Sequence, residues 1–388
     1  MSSKKKIIVI NTKYREFGGE DSNIKDELKF LKKYYDVKYL EFDNSKKIKI
    51  IDLLGFITIN NLSSNKILKK EILNFKPDFA YVHNTWYKAN LGIFRILEKN
   101  NVRTYLKLHN YRYSCTRFFS IKKHVKKGKI CDKCGLNNKG NKIFNKYYSE
   151  SYIKSFFVIL YGKKLFKLII NEDINLLAMN NYHVSFLEDL GVEKGKTTIF
   201  YNPLDIESKS SNLYNHQSNY VVYAGRITET KGVAELLDTW AKLNNNHIKL
   251  KIVGTGNQLD SLRNQYKQTN IDFLGQKNHE DTLNIIRNSK AVITATKLVE
   301  GQPRIMCEAA MFGVPIIYPD YGGMSEYFPK SYLLSFKQFD YKDLEKKIYL
   351  LSDTNLLKSI SYEVFKNIKF ILNPNSLYES ISKVFTNE

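Results

Sequence analysis

Nine short apolar runs, rich in Val and Ile, recur along this chain, with stretches long enough for a helix between them. They fall at residues 6–11, 77–84, 104–109 and 176–179 in the first half. In the second half they fall at 220–224, 248–253, 271–274, 291–296 and 314–318. The runs are continuous and do not alternate, so a strand with one face in water does not account for them. Continuous apolar strands separated by helices indicate parallel sheets covered on both faces. The length, 388 residues, exceeds what one ordinary core holds. The fold class expected is α/β, with two doubly wound, Rossmann-like domains in tandem. The boundary is placed at 202–203, where a strand (TTIFYN) meets Pro203 and the polar stretch 208–218. In such sheets ligands bind beyond the carboxyl ends of the strands. The informative residues are therefore expected there, along a cleft between the domains.

Composition narrows the class. The apolar run after the N-terminal lysines is too short for a signal peptide, and no stretch reads as a membrane span. Four cysteines exclude a disulfide scaffold and suit a reducing compartment, so a cytoplasmic chain is expected. The net charge is +22, carried by 52 Lys and 9 Arg. Lysine enrichment of this kind also follows from a biased genome, so the total is weak evidence for nucleic acid. Its distribution says more. Residues 1–200 carry +20 and residues 201–388 only +2, which points to a first half that meets an anionic partner. Residues 121–146 hold nine lysines against one acid, Asp132. Residues 154–170 interleave large apolar groups with Lys154, Lys163, Lys164 and Lys167. They read either as a basic amphipathic helix lying on an anionic bilayer or as a core helix with a solvated lysine edge.

Two stretches carry chemistry, and a third follows the next strand. Residues 300–308, EGQPRIMCE, follow the strand at 291–296. Pro303 suits the first turn of a helix, whose exposed N–H groups can receive an anion. Glu300 lies before that helix and Glu308 within it. Two acids beside an anion site make sense if each binds hydroxyl groups, as on a sugar or a ribose. The second stretch is Ala224-Gly225-Arg226, then Lys231-Gly232, at the end of the strand Tyr220–Ala224. A bidentate Arg and a point-charge Lys together suit a diphosphate. The third, Gly254-Thr255-Gly256, is uninformative alone.

These residues resemble the nucleotide-sugar domain of the GT4 family of retaining glycosyltransferases. The likeness lies in Glu300 and Glu308 in an E-x7-E pattern, and in Gly225-Arg226 with Lys231-Gly232. Gly313-Val314-Pro315, Gly322-Gly323 and Glu326 then follow in the family's order. The first half is similar too. Gly18-Gly19-Glu20 follows the first strand, and His109-Asn110-Tyr111-Arg112 resembles an HNYR subgroup. The resemblance implies the GT-B fold. Its acceptor domain would span 1–202 and its nucleotide-sugar domain 203–372. A C-terminal helix, 373–388, would pack back on the first domain. It implies Arg226 and Lys231 on the donor diphosphate and Glu308 on the ribose. Glu300, with the amides of Gly301, Gln302, Pro303 and Arg304 around it, would hold the donor sugar. Gly18 and Gly19 with Gly225 would give close backbone approach, and His109 would stand beside the reacting carbon. His83 and Asn84 would line the acceptor side.

The function expected is transfer of a sugar, with retention, from a UDP- or GDP-sugar to a lipid-linked saccharide. The setting is the inner face of a bacterial membrane, in capsule, O-antigen or exopolysaccharide synthesis, with no nucleic-acid partner. No Asp-x-Asp motif is present, so fixed cations and helix N–H groups would stabilise the leaving diphosphate without a metal or other cofactor. Cys115, Cys131 and Cys134, with His124, are either three reduced thiols and a histidine in a loop or an irregular zinc site. Two other functions share parts of this pattern. One is a GT-B epimerase or phosphorylase; the other is a non-enzymatic membrane- or nucleic-acid-binding protein.

Overall fold

The computed structural model describes residues 4–14, 19–46, 50–111, 113–114, 151–171, 173–206, 214, 217–243, 247–267 and 270–386. The chain forms two compact units. The first comprises Met1–Asp205 with Pro374–Glu388, and the second Ile206–Asn373.

The first unit is built on a six-stranded parallel sheet: β1 (Lys6–Lys13), β2 (Asp36–Asp43), β3 (Phe79–Val82), β4 (Arg103–Lys107), β5 (Asn175–Ala178) and β6 (Thr197–Ile199). The strand order is β2-β1-β3-β4-β5-β6. Every residue of β3 is buried, as continuous apolar patterning requires of a strand covered on both faces. β2 was not among the sequence-derived strands. It is an edge strand, DVKYLEFD, with charged residues throughout and mostly half-buried side chains, so no apolar run marks it. The helix Pro374–Thr386 closes this unit's core through Leu377, Ile381 and Phe385. Phe385 stacks on Phe79 at 5.2 Å, and the Tyr105 hydroxyl donates to the Val384 carbonyl at 2.7 Å.

Residues 154–170 fall within the helix Tyr152–Asn171. Most of the apolar face read for a bilayer is occupied otherwise. Val158, Ile159, Tyr161, Leu165 and Ile169 are buried in the first unit, which is the core-helix alternative. Apolar exposure is confined to its N-terminal end, at Tyr152, Ile153 and Phe156. No helix among the described residues is long and apolar enough to cross a membrane. The lysine-dense segment 121–146 lies outside the described residues.

The second unit repeats the scheme with β7 (Tyr220–Ala224), β8 (Lys249–Val253), β9 (Ile271–Gly275), β10 (Ala291–Ile293), β11 (Ile316–Asp320) and β12 (Ser335–Lys337). The order is β12-β11-β10-β7-β8-β9, all parallel. β12 also escaped sequence reading, because its residues, Ser335, Phe336 and Lys337, hold one buried apolar side chain between two polar ones and form no apolar run. Chain direction across this sheet reverses between β7 and β10. Such a switch point leaves a crevice at the strand ends where helices depart to opposite faces.

Candidate functional site

The crevice in the second unit is shaped by glycine. Gly232 has φ +66°, and a Cβ there would lie 2.0 Å from the Ala295 carbonyl oxygen. Only glycine lets the loop after β7 press against the end of β10. That approach brings Lys231 to Glu300, Nζ to Oε1, at 2.5 Å. Thr296 donates its hydroxyl to the same oxygen at 3.2 Å. Burial pushes the Glu300 carboxyl up, but the Lys231 charge and hydrogen bond, the Thr296 hydroxyl and the Arg226 charge outweigh it. The net shift is downward, so Glu300 stays ionised. Arg226 is exposed at the end of β7, near enough to act electrostatically on Glu300. Gly254 and Gly256 have a structural explanation. A Cβ on Gly254 would lie 1.9 Å from the Gly225 carbonyl oxygen, and one on Gly256 2.1 Å from that of Ile227.

The helix Arg304–Met311 starts after Pro303, its N-cap, with Gly301 and the buried Gln302 just before. Glu308 is fully buried on it. Its Oε1 forms an ion pair with Arg304, 2.6 Å from Nε, and accepts a hydrogen bond from His279 Nε2 at 2.8 Å, while buried Oε2 has no hydrogen-bond partner. A carboxylate oxygen left so is an acceptor with unused capacity, and a hydroxyl donor is the chemistry that satisfies it. His279 escaped sequence reading. It opens a helix of its own, His279–Arg287, with no motif around it, and only the fold carries it to Glu308.

In the first unit the ends of β3 and β4 bring two histidines together. His83 Nδ1 and His109 Nε2 are 2.9 Å apart, with the rings stacked at 5.2 Å. Behind them lies a buried ion pair, Lys107 Nζ to Glu27 Oε1 at 2.8 Å. The Tyr81 hydroxyl donates to the same oxygen. Both side chains of the pair are almost wholly removed from solvent. Lys107 also stands over the Phe200 ring, 4.5 Å from its centroid. Burial, followed by the Lys107 charge, drives the pKa of His83 far down. Burial, then the neighbouring His83 and Lys107, does the same to His109, so both rings are neutral. His83, Asn84, Thr85, Trp86, Lys107, His109 and Asn110 are among the residues lining one pocket, open to solvent. Glu27 and Tyr81 were missed in the sequence. The signal available was Lys107, a charged residue in the middle of an apolar strand, which must have a buried partner.

Gly19 opens the helix Gly19–Tyr34 and is exposed, and a Cβ there would meet nothing within 4 Å. Among the described residues no neighbour therefore requires glycine at this position. Gly18 lies outside the described residues, as do Arg112, Cys115, His124, Cys131 and Cys134. Among the described residues no group of three or more His, Cys, Asp or Glu side chains is placed to hold a metal ion.

Residues 205–367 match the model of the family described as Glycosyl transferases group 1. A curated relative, the amylovoran biosynthesis glycosyltransferase AmsD of Erwinia amylovora, is 26% identical over 111 residues. That match covers 28% of this chain and spans only about a third, 32%, of the relative's length. Among solved structures, sucrose-phosphate synthase from Thermosynechococcus elongatus superposes with a TM-score of 0.73 at 12% identity, covering 99% of this chain and 98% of that one. HepE from Anabaena, in complex with UDP and glucose, superposes with a TM-score of 0.68 at 14% identity, covering 99% and 100%. A glycosyltransferase from Rickettsia africae has a TM-score of 0.68 at 14% identity, covering 99% and 98%. At these identities the likeness establishes the fold, which is GT-B.

Proposed function

We propose that this chain, whose residues 205–367 match the glycosyl transferases group 1 family, is a retaining glycosyltransferase using a nucleotide-diphosphate sugar. The observation that carries the reading is the switch-point crevice of the second unit. Two cations, Arg226 and Lys231, stand there with an ionised carboxylate, Glu300. Glu308 is buried in the same unit with one oxygen unpartnered. Cations suit the diphosphate, and carboxylates with spare acceptor capacity suit sugar and ribose hydroxyls. Lys231 is shared. It holds Glu300 in the free protein and would neutralise charge on the leaving diphosphate in the reaction. Glu308 would take the ribose, Glu300 with the backbone at Gly301–Arg304 the donor sugar, and Gly19 would allow close backbone approach. His109 would face the reacting end of the donor, with His83 and Asn84 toward the acceptor. Retention follows from the family resemblance.

The donor is read as a UDP- or GDP-sugar, and HepE, of the same fold, binds UDP and UDP-glucose. The acceptor is read as a lipid-linked saccharide in surface polysaccharide assembly at the inner face of the cell membrane. Two facts support this: the amylovoran relative and the +20 charge of the first 200 residues.

The test is nucleoside diphosphate release from a panel of UDP- and GDP-sugars, with and without membrane lipid extract as acceptor. Release that requires acceptor, abolished in Glu300→Ala and Arg226→Ala, is expected. Release without acceptor would indicate transfer of the sugar to water, and release that requires inorganic phosphate would indicate a phosphorylase. Full activity in either variant would remove that residue from the site.

A further inference from the structure

The buried groups behind His109 determine which of its nitrogens carries the proton, and the consequence reaches the ligand. Lys107 and Tyr81 both donate to Glu27 Oε1. Glu27 Oε2 is buried without a hydrogen-bond partner, and it faces His83 Nε2, likewise buried and unpartnered, at 3.8 Å. A lone pair on Nε2 would point at a carboxylate oxygen inside the protein, where no water screens the repulsion. An N–H on Nε2 is attracted instead. A neutral imidazole has one N–H and one acceptor nitrogen. With the proton on Nε2, His83 Nδ1 is the acceptor in the 2.9 Å contact to His109. His109 must then donate from Nε2, and its own proton count leaves Nδ1 as a lone pair.

We propose that Glu27 and His83 form a positioning relay that holds His109 in its Nε2–H tautomer. His109 lines the pocket at the ends of β3 and β4, and a ligand group that meets its Nδ1 there is then a hydroxyl that donates a hydrogen bond, not an anionic phosphate oxygen. The opposite tautomer would present an N–H and select an anion. The relay rests on the glycosyltransferase reading for the identity of that hydroxyl, a sugar hydroxyl, but its proton arrangement stands on the first unit alone. Glu27 and His83 act through His109 and need not touch substrate.

The experiment is nitrogen-15 NMR of the full chain labelled at its seven histidines. In each ring, coupling to the carbon-bound protons distinguishes Nε2 from Nδ1, and the nitrogen chemical shift shows which is protonated. Spectra of His83→Gln and His109→Gln assign the two rings. Nε2–H in both, with a coupling across the hydrogen bond from His109 Nε2 to His83 Nδ1, is the expected result. The wild-type coupling identifies the donor nitrogen even if a variant fails to fold. An Nδ1–H or doubly protonated ring at either position overturns the relay, whatever the activity. Glu27→Gln should let His109 sample both tautomers and lower kcat at least threefold with donor KM little changed. A Glu27→Gln enzyme with wild-type kcat would remove its positioning role. If the tautomers are as expected but no nucleotide sugar is turned over, the relay stands and the functional reading falls.

Discussion

At the residue scale, the second unit's crevice turns on one cation paired with a carboxylate. Lys231 keeps Glu300 ionised against burial, which alone would raise its pKa. The sign of the pH dependence follows. A carboxyl depressed in the folded state contributes stability above its ordinary pKa and loses it as pH falls through the folded value. Lys231→Met should raise the Glu300 pKa, so that protonation begins at higher pH. The acid limb of the residual pH–rate profile should then move upward, and kcat should fall by about 10²–10³, the loss typical of removing one charge-stabilising donor. A profile unmoved on its acid side would mean that Lys231 does not hold Glu300. Glu308→Gln removes an acceptor whose second oxygen has no protein partner. Nucleotide affinity measured by calorimetry should weaken by about 1–3 kcal/mol.

At the element scale, strand ends and the loops after them carry the candidate site residues, and glycine fixes how closely those loops pack. Two glycines should respond oppositely to the same change. Gly232→Ala puts a methyl 2.0 Å from a carbonyl oxygen at a positive φ and should destabilise by at least ~2 kcal/mol in urea unfolding. Gly19→Ala meets nothing within 4 Å. It should leave the unfolding midpoint unchanged while weakening nucleotide-sugar binding. Loss of stability with intact binding would make Gly19 a structural glycine. The helix Tyr152–Asn171 shows how an element's surroundings decide its role. Lysines spaced along an apolar stretch suit either a bilayer or a core, and the burial of Val158, Ile159, Leu165 and Ile169 assigns most of its apolar face to the core.

At the scale of the whole molecule, the last helix completes the core of the first unit. Phe385 is 1% exposed and lies against Phe79, Tyr81 and Tyr105. Phe385→Ala should cost about 3–5 kcal/mol in the first unit's unfolding transition. Removal of the chain after Asn373 should leave that unit without a stable fold. Circular dichroism and protease sensitivity would check both, and a native first unit in the truncated chain would contradict the role given to this helix.

Much of the architecture was legible because continuous apolar runs are a direct consequence of parallel strands buried on both faces. β2 and β12 were not, since both are edge strands, half solvated and interrupted by charged or polar residues. Glu300, Glu308, Arg226 and Lys231 could be proposed from the sequence because a turn, a helix start and their spacing lie within short stretches of chain. Glu27, Tyr81 and His279 carry no local signal. Glu27 lies 80 residues from Lys107, and His279 29 residues from Glu308. The sequence by itself determined the strand runs, the residue types at the strand ends and the uneven charge. Only the tertiary structure decided which buried acid meets which base and which nitrogen of His109 faces His83. Hydrogen-bond partnership is a matter of ångströms between residues far apart in the chain, and no pattern along the chain records that distance.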